Sequence, residues 1–411
     1  MGTSETIEVT GHLMDSGILS RVLDDIRDYG GDFAIESFDV GRDNADPSRA
    51  LISVRADDHE SLQRLLMRLQ ARVVNLVTPG EVRLLEAPAD GVLPDGFYAT
   101  SNLSTRVHVL GRWHEVENPE MDCCLAVLTA PDGVTRVRTV PMCEVRRGTP
   151  IVVGAAGIVV VPPDPESMGP ALGASEVGGD RPHSVLVRQV ADGVRRTHES
   201  GQKVLWVVGP GVVHTGASSA LVSLVEAGFV DVLFAGNAFA THDVEAALYG
   251  SSLGGDLSLG QAVENGREHS LRAINTIRAA GSIKEAVETG VLKSGVMHAL
   301  ARHDCSYVLV GSVRDDGPLP DVVTDVVAGQ RAMRAQVEGV GYCLMMAALT
   351  HSEATGNILP ASVPVVCVDI NPTTVTMLTD RGSTRSLGIV TDVGLFLEQL
   401  AHELVSGRRG I

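Results

Sequence analysis

Lysine is nearly missing from this sequence. Of 411 residues only Lys203, Lys284 and Lys293 carry that side chain, so the first 202 residues cannot supply a Schiff-base lysine. No GxxxxGK[ST] stretch occurs, which removes the ordinary P-loop nucleotide hydrolases. Long apolar runs are also absent. The longest, Ile151 to Val161, falls far short of the roughly 20 residues a membrane-spanning helix needs. Residues 1–30 lack the basic start and apolar core of a signal peptide, and Glu5, Asp15, Asp24 and Asp25 break any such pattern. Cysteine is sparse: Cys123, Cys124, Cys143, Cys305, Cys343 and Cys367 match neither a CxxC zinc knuckle nor a small disulfide framework. Positive charge is short as well, 33 Lys+Arg against 51 Asp+Glu for a net −18. A non-specific nucleic-acid binder needs the opposite balance. These absences together describe a reduced, cytoplasmic protein with no metal site, no membrane partner and no nucleic-acid partner.

What is present is an apolar fraction of 44% and 44 glycines. The apolar content suits two or three domains with their own cores, and the glycines suit many strand-to-helix turns. From Thr6 to about Gln70 the order is strand, helix, strand, strand, helix. Ile18, Val22, Leu23 and Ile26 recur at helical spacing, as do Leu62, Leu65, Leu66 and Leu69 after Asp57-Asp58. That order suggests a small ferredoxin-like α+β module over residues 1–71. Residues 72–183 hold short β-branched runs punctuated by proline, a β-rich subdomain ending in a linker at Pro162 to Pro182. The apolar run Ile151 to Val161 reads as a buried strand pair.

From residue 184 to 411 nearly continuous apolar strands alternate with helical periodicity. The strands are Val204–Val208, Val230–Phe234, Tyr307–Val310, Gly341–Met346, Val363–Val368 and Leu387–Val390. Such strands belong to a parallel sheet covered on both faces, hence a Rossmann-like, doubly wound α/β domain. Ligands bind such sheets at the carboxyl ends of the strands. Those ends carry Gly209 to Gly216, Ala235 to Ala238, Gly311 to Pro320, Thr355 to Ser362, Asp369 to Pro372 and Thr391 to Gly394. Six polar or glycine-rich ends on one rim imply an elongated polar ligand. Gly209 to Gly216 is either a plain turn or a loop seating a pyrophosphate on free N–H groups. Asp369, with no arginine immediately after it, either caps a helix or accepts from ribose hydroxyls; the latter favours NAD over NADP. Asp315-Asp316 fit a turn or a contact equally.

A second cluster lies in the β-rich subdomain. Glu115, Glu117, Glu120 and Asp122 fall within eight residues around Pro119. They form a solvated acidic loop or an electronegative lip for a cationic substrate. Cys123-Cys124 reads first as a buried pair, since a thiolate needs a base that spacing does not place. Arg106 and Arg112 are candidate clamps for a substrate carboxylate.

Several segments together resemble one family. They are Tyr98 to Asn102, Val116 to Cys123, Gly209 to Gly216, Ala235 to Ala238, SVRDDGPLPD at 312–321 and ATGNILPAS at 354–362. They look like the NAD-dependent ornithine cyclodeaminases of the archaeal type, which contain an LOR/SDH domain. The family is related to the C-terminal part of cyanobacterial bifunctional arginine dihydrolase/ornithine cyclodeaminases. This sequence begins directly at the small α+β module, so the resemblance implies cyclodeaminase chemistry without arginine dihydrolase activity.

The resemblance implies a cycle in which ornithine gives a hydride from Cα to bound NAD. The δ-amine then closes on the resulting imine, ammonia leaves, and the hydride returns to give proline. NAD is then a catalyst and not a consumed cosubstrate. By the resemblance, cofactor contacts fall on Asn237, Ala238, Asp316, Asn357, Ile358, Leu359, Pro360, Ala361, Asp369, Asp392 and Val393. The catalytic candidates are Glu120 and Asp122, with Asn118 orienting substrate and Cys123 lining the pocket; His214 is a further residue of the right type. A homo-oligomer is expected. Two alternatives remain open at this level: another diamino-acid cyclodeaminase or amino-acid dehydrogenase on the same scaffold, and a non-catalytic amino-acid/NAD sensor. Pocket shape decides one methylene of substrate length for only about 1–3 kcal/mol, which sequence does not show.

Overall fold

Alternation and helical spacing in the first seventy residues produce the elements they predict. In the computed structural model these are β1 (Thr3–Gly11), α1 (Ile18–Asp28), β2 (Asp32–Asp39), β3 (Ser48–Ala56), α2 (His59–Gln70) and β4 (Asn75–Leu76). The structure describes residues 3–11, 13, 17–41, 48–130, 133–161, 176–177, 183–252, 255–256, 269–315, 317–380 and 386–406. His12, most of the Pro162 to Pro182 stretch and Asp316 lie outside them. The chain divides into two compact units, residues 1–164 and 165–411.

In the first unit, β1 to β4 form an antiparallel sheet in the order β2-β3-β1-β4, the ferredoxin-like arrangement. Ile7 and Val9 of β1 and Ile52 and Val54 of β3 bury one face against Val22 and Ile26 of α1 and the leucine stripe of α2. Asp58 starts α2 by accepting the Ser61 amide at 2.8 Å, which satisfies one orphan donor of the first turn. Next come β5 (Arg83–Glu86), β6 (Thr105–Val109), β7 (Arg112–Glu117), β8 (Cys124–Thr129), β9 (Thr135–Val140), β10 (Pro150–Val153) and β11 (Ile158–Val160). Their sheet order is β11-β6-β7-β9-β8-β10-β5. The apolar run at 151–161 therefore is a strand pair, β10 and β11, broken at Gly154 to Gly157.

The second unit contains β12 (Glu176–Val177), α3 (His183–Glu199), β13 (Lys203–Val208), α4 (Gly211–His214), α5 (Ser218–Glu226), β14 (Val232–Gly236) and α6 (Asn237–Tyr249). Then follow β15 (Ser251–Ser252), β16 (Gly255–Asp256), α7 (His269–Ala280), α8 (Ile283–Glu288), α9 (Val296–Arg302), β17 (Ser306–Val310), β18 (Val322–Val323) and α10 (Val326–Gln336). The chain continues through β19 (Val340–Met346), α11 (Leu349–Ile358), β20 (Val365–Asp369), α12 (Pro372–Asp380), β21 (Ser386–Val390) and α13 (Val393–Ala401).

Eight of these strands form one parallel sheet, β12-β21-β20-β19-β13-β14-β17-β18. The strands are apolar on both sides because both faces are covered. Leu221, Leu224, Phe239 and Leu397 pack on one face, and Met333, Ile358 and Leu359 on the other. After β12, which pairs with β21 at one edge, the chain enters the sheet's middle at β13, winds outward to β18, returns to β19 on the other side of β13, and winds out again to β21. The order thus reverses between β13 and β19, the position where open α/β sheets leave a crevice at their carboxyl ends.

Four cysteines are buried, Cys123, Cys124, Cys343 and Cys367; Cys143 is exposed and Cys305 partly so. No helix among the described residues is long and apolar enough to cross a membrane.

Candidate functional site

In the first unit, the turn between β7 and β8 is a tightly held loop. Thr100 Oγ1 donates to the Glu120 carbonyl at 2.6 Å and accepts the Cys123 amide at 3.0 Å. The Thr100 amide donates to the Cys123 carbonyl at 2.9 Å, and its carbonyl accepts the Asp122 amide at 3.0 Å. Thr139 Oγ1 donates to the Asn118 carbonyl. Two residues bend the loop through the left-handed region, Asn118 at φ 52° and Asp122 at φ 61°. Asn and Asp tolerate that conformation better than other side-chain-bearing residues. The bend turns Glu120 inward to 4% exposure and leaves Asp122 exposed. Cys123 Sγ donates to Glu120 Oε2 at 3.8 Å. All four catalytic candidates therefore sit on one six-residue loop.

The four acids do not form a single lip. Glu115 and Glu117 are on β7, two residues apart and so on one face, where they meet Arg106 at 4.0 Å and Arg136 at 3.7 Å. Arg106 also lies over the Trp113 ring, 5.8 Å from its centroid, so it is already engaged by its own hairpin. The anionic loop proper is Glu120 and Asp122.

In the second unit, the strand ends build a rim. A Cβ on Gly209 would overlap the Ala347 carbonyl oxygen, and one on Gly211 would lie 2.8 Å from the Ala347 side chain. Glycine is required there because the loops leaving β13 and β19 touch at the reversal point. Ala347 is itself left-handed, at φ 49°. At the next strand end Gly236 precedes α6 with no side-chain cap. A Cβ there would meet His351 Cε1 at 2.9 Å. Asn237 is buried, and its side chain is committed to holding the rim. Its Nδ2 donates to Asp315 Oδ1 at 2.8 Å, while its Oδ1 accepts the Leu319 amide at 3.1 Å and Thr241 Oγ1 at 3.2 Å. Asp315 also accepts the Ser312 amide at 2.7 Å. Asp369 accepts the Asn371 amide at 2.8 Å through Oδ1, and Asp392 caps α13 through the Leu395 amide at 2.9 Å. Each aspartate thus uses one oxygen for its own turn.

Comparison with known proteins agrees along the whole chain. Residues 188–400 match the C-terminal Rossmann-fold region of arginine dihydrolase ArgZ-like proteins, 104–187 the first region of the same C-terminal part, and 4–103 the conserved region of LOR/SDH bifunctional enzymes. An ornithine cyclodeaminase of Methanopyrus kandleri is 49% identical over 97% of both chains. Another from Methanothermobacter thermautotrophicus is 46% identical over 98% of both. The chain belongs to the ornithine cyclodeaminase family.

Solved structures give the same placement. Apo ArgZ, an arginine dihydrolase of the cyanobacterial ornithine-ammonia cycle, superposes with a TM-score of 0.85 at 33% identity, over 99% of this chain and 59% of that one. AgrE in ternary complex with ornithine and NAD+ superposes at 0.55 with 38% identity, over 100% of this chain and 59% of that one. The chain therefore spans a little under three-fifths of those bifunctional relatives.

Within this family fold, one expected strand end lies elsewhere. Thr355 to Ile358 are not beyond β19 on the rim; they form the last turn of α11, and Leu359 to Ser362 lead into β20. Ile358, Leu359 and Ala361 are buried, and the first two pack with Val340 and Val365 in the core. Asn357 to Ala361 are thus not brought together with Asn237, Asp369 and Asp392. The residues that do leave β19 at the rim are Ala347 to His351, which sequence reading missed. Ala347 shows no local signal, but a histidine one turn into a helix after an apolar strand was visible. His351 Nε2 lies 3.2 Å from the Val310 carbonyl, bridging the ends of β17 and β19. Burial, more than the bond to Val310 or the charge of Asp315, sets its balance and pushes its pKa below the ordinary histidine value. The bond to a carbonyl then assigns the proton to Nε2.

The rim fits a dinucleotide. The uncapped starts of α6 and α11 offer backbone donors for phosphate. The glycines allow close approach, and Ser352 in the first turns of α11 is 1% exposed with its Oγ unpartnered.

Proposed function

We propose that this protein converts L-ornithine to L-proline and ammonia with NAD as a bound catalyst. The observation that carries the reading is similarity to ornithine cyclodeaminases over 97% of both chains, together with a rim suited to a dinucleotide. NAD bound there supplies a hydride acceptor for Cα and returns the hydride after cyclisation. Asn237, Ala238, Asp316, Asp369, Asp392 and Val393 hold it from the strand ends. Asn357 to Ala361 serve it at a distance, by fixing the exit of α11. Glu120 and Asp122 neutralise the two ammonium groups of the substrate, Asn118 orients it, and Cys123 lines its pocket against water.

The ferredoxin-like module (residues 1–71), the β-rich subdomain (72–183) and the NAD-binding domain (184–411) are assigned these roles as separate parts. We place the enzyme in the cytoplasm as a homo-oligomer, working in arginine and ornithine metabolism towards proline. The test is incubation of purified protein with ornithine, following proline, ammonia and NADH. Proline and ammonia in equal amounts without NADH accumulation are expected. Steady NADH would identify a net dehydrogenase, and neither product would reject the substrate.

A further inference from the structure

Two threonines of the first unit have no part in the chemistry proposed above, yet both spend their hydroxyls on the loop that follows β7. Thr100 and Thr139 are buried. Thr139 belongs to β9, and its neighbours pair with β8 along the whole strand. Thr100 ends a short extended stretch that the same sheet holds by its backbone. Phe97 bridges to Val153 of β10, Ala99 bridges to Cys124 of β8, and the Tyr98 amide donates to the Val152 carbonyl at 2.9 Å. The Tyr98 ring packs with Val107, Leu125 and Val152 in the core. Both threonines are therefore fixed to the sheet, while the loop is not part of it.

The loop is least at ease at its two left-handed residues, Asn118 and Asp122. Side-chain-bearing residues persist there when the surroundings over-determine them, and each has a threonine beside it. Thr139 Oγ1 donates to the Asn118 carbonyl. Thr100 Oγ1 spans Asp122, donating to the Glu120 carbonyl on one side at 2.6 Å and accepting the Cys123 amide on the other at 3.0 Å. A hydroxyl has one proton to give and lone pairs to receive, so one side chain serves both flanks of the bend. The Thr100 backbone adds the Asp122 amide and the Cys123 carbonyl. Glu120 and Cys123 are buried, where a lost hydrogen bond is costly.

Resting on the assignment of Glu120 and Asp122 to the substrate, we propose that Thr100 and Thr139 are positioning residues. Their hydroxyls pin the two left-handed bends and so fix which way the two carboxylates point, Glu120 inward and Asp122 outward. They act through the loop and not on the reacting atoms. Without a pin the bend relaxes towards ordinary φ and carries the carboxylates with it. A displacement of about 1 Å is enough to cost roughly 10²-fold in rate.

The test compares T100V with T100S in the full-length protein. Valine keeps the branched shape and removes the hydroxyl; serine keeps the hydroxyl. In T100V kcat for ornithine is expected to fall by roughly 10²-fold, with NAD affinity unchanged by calorimetry, and T100S restores most of that loss. Thiol labelling at pH 8 reads the loop itself. Cys123 lies on it, whereas Cys124 starts β8 with its thiol on the Val140 carbonyl at 3.2 Å. In the wild type the two label together; in T100V Cys123 labels first. Full turnover in T100V, or T100S as slow as T100V, overturns the proposal. A fall in kcat with Cys123 and Cys124 still labelled at one rate overturns it too, because the loop has then not loosened. Should T100V fail to fold, T139V and T139S decide by the same readouts. Absence of any turnover in the wild type would instead reject the ornithine reading, while the order of labelling still judges the pins.

Discussion

At the scale of single residues, the loop after β7 shows how backbone conformation decides chemistry. Glu120 and Asp122 are two positions apart, yet one is buried beside Cys123 and the other is exposed. The sequence shows the cluster of acids but not this division. Strand alternation takes Glu115 and Glu117 away to Arg106 and Arg136, and two left-handed residues then turn Glu120 inward. Asp122→Asn is a clean probe, because asparagine accepts the same positive φ and removes only the charge. Turnover is expected to fall about 10²-fold or more while NAD stays bound, read by steady-state assay and calorimetry. Unchanged turnover would remove Asp122 from the mechanism.

At the scale of elements, α11 is where sequence reading and structure part. Its segment, LTHSEATGNI, is rich in Thr, Ser, Gly, His and Asn, all weak helix formers, so it reads as a loop. It is a helix because Ser352, Thr355 and Ile358 bury one side against the sheet, and tertiary packing outweighs propensity. The regular helices with leucine stripes were legible for the opposite reason.

A second element carries a pH signature. Asp243 of α6, 1% exposed, caps α9 from outside by accepting the Val296 and Met297 amides at 2.9 and 2.8 Å. Burial outweighs these two bonds and raises its pKa to about 6, above the unfolded value of about 3.9. Its contribution to stability is therefore fully present below about pH 3.9 and is lost as pH rises through about 6, by roughly 3 kcal/mol in all. Between pH 5 and pH 8 the wild type should lose more stability in urea unfolding than Asp243→Asn does. The variant should also be weaker at pH 5, by about 1–3 kcal/mol, since one amide loses its acceptor. Equal slopes in the two proteins would show that Asp243 does not titrate in this window.

At the scale of the whole molecule, the architecture was legible because its patterns are long. Apolar strands and their separating helices announce a parallel sheet with both faces covered, and the strand-helix order of the first unit gives its sheet order. Ligand geometry was less legible, since strand ends are marked by small and polar residues whether they serve a turn or a ligand. Asn237 does the former with its side chain, as its bonds to Asp315 and Leu319 show.

The burial of the cysteines has a consequence for watching this protein come apart. Cys124 lies in the first unit, its thiol pushed up to about 11 by burial. Cys343 and Cys367 lie in the second on neighbouring strands; burial raises the first well above its usual value and the second to about 12. A thiol reagent at pH 8 should consume Cys143 at once and Cys305 more slowly, the latter held back by burial and by Asp231 and Asp304. Cys123, Cys124, Cys343 and Cys367 should react only as their unit opens. Peptide mapping of the labelled sites over time would then read two opening rates from one unmodified chain, one for each unit. Prompt labelling of all six would show that these cores open on the reagent's timescale. The sulfur atoms, silent in the chemistry of the rim, are a built-in clock for the scaffold around it.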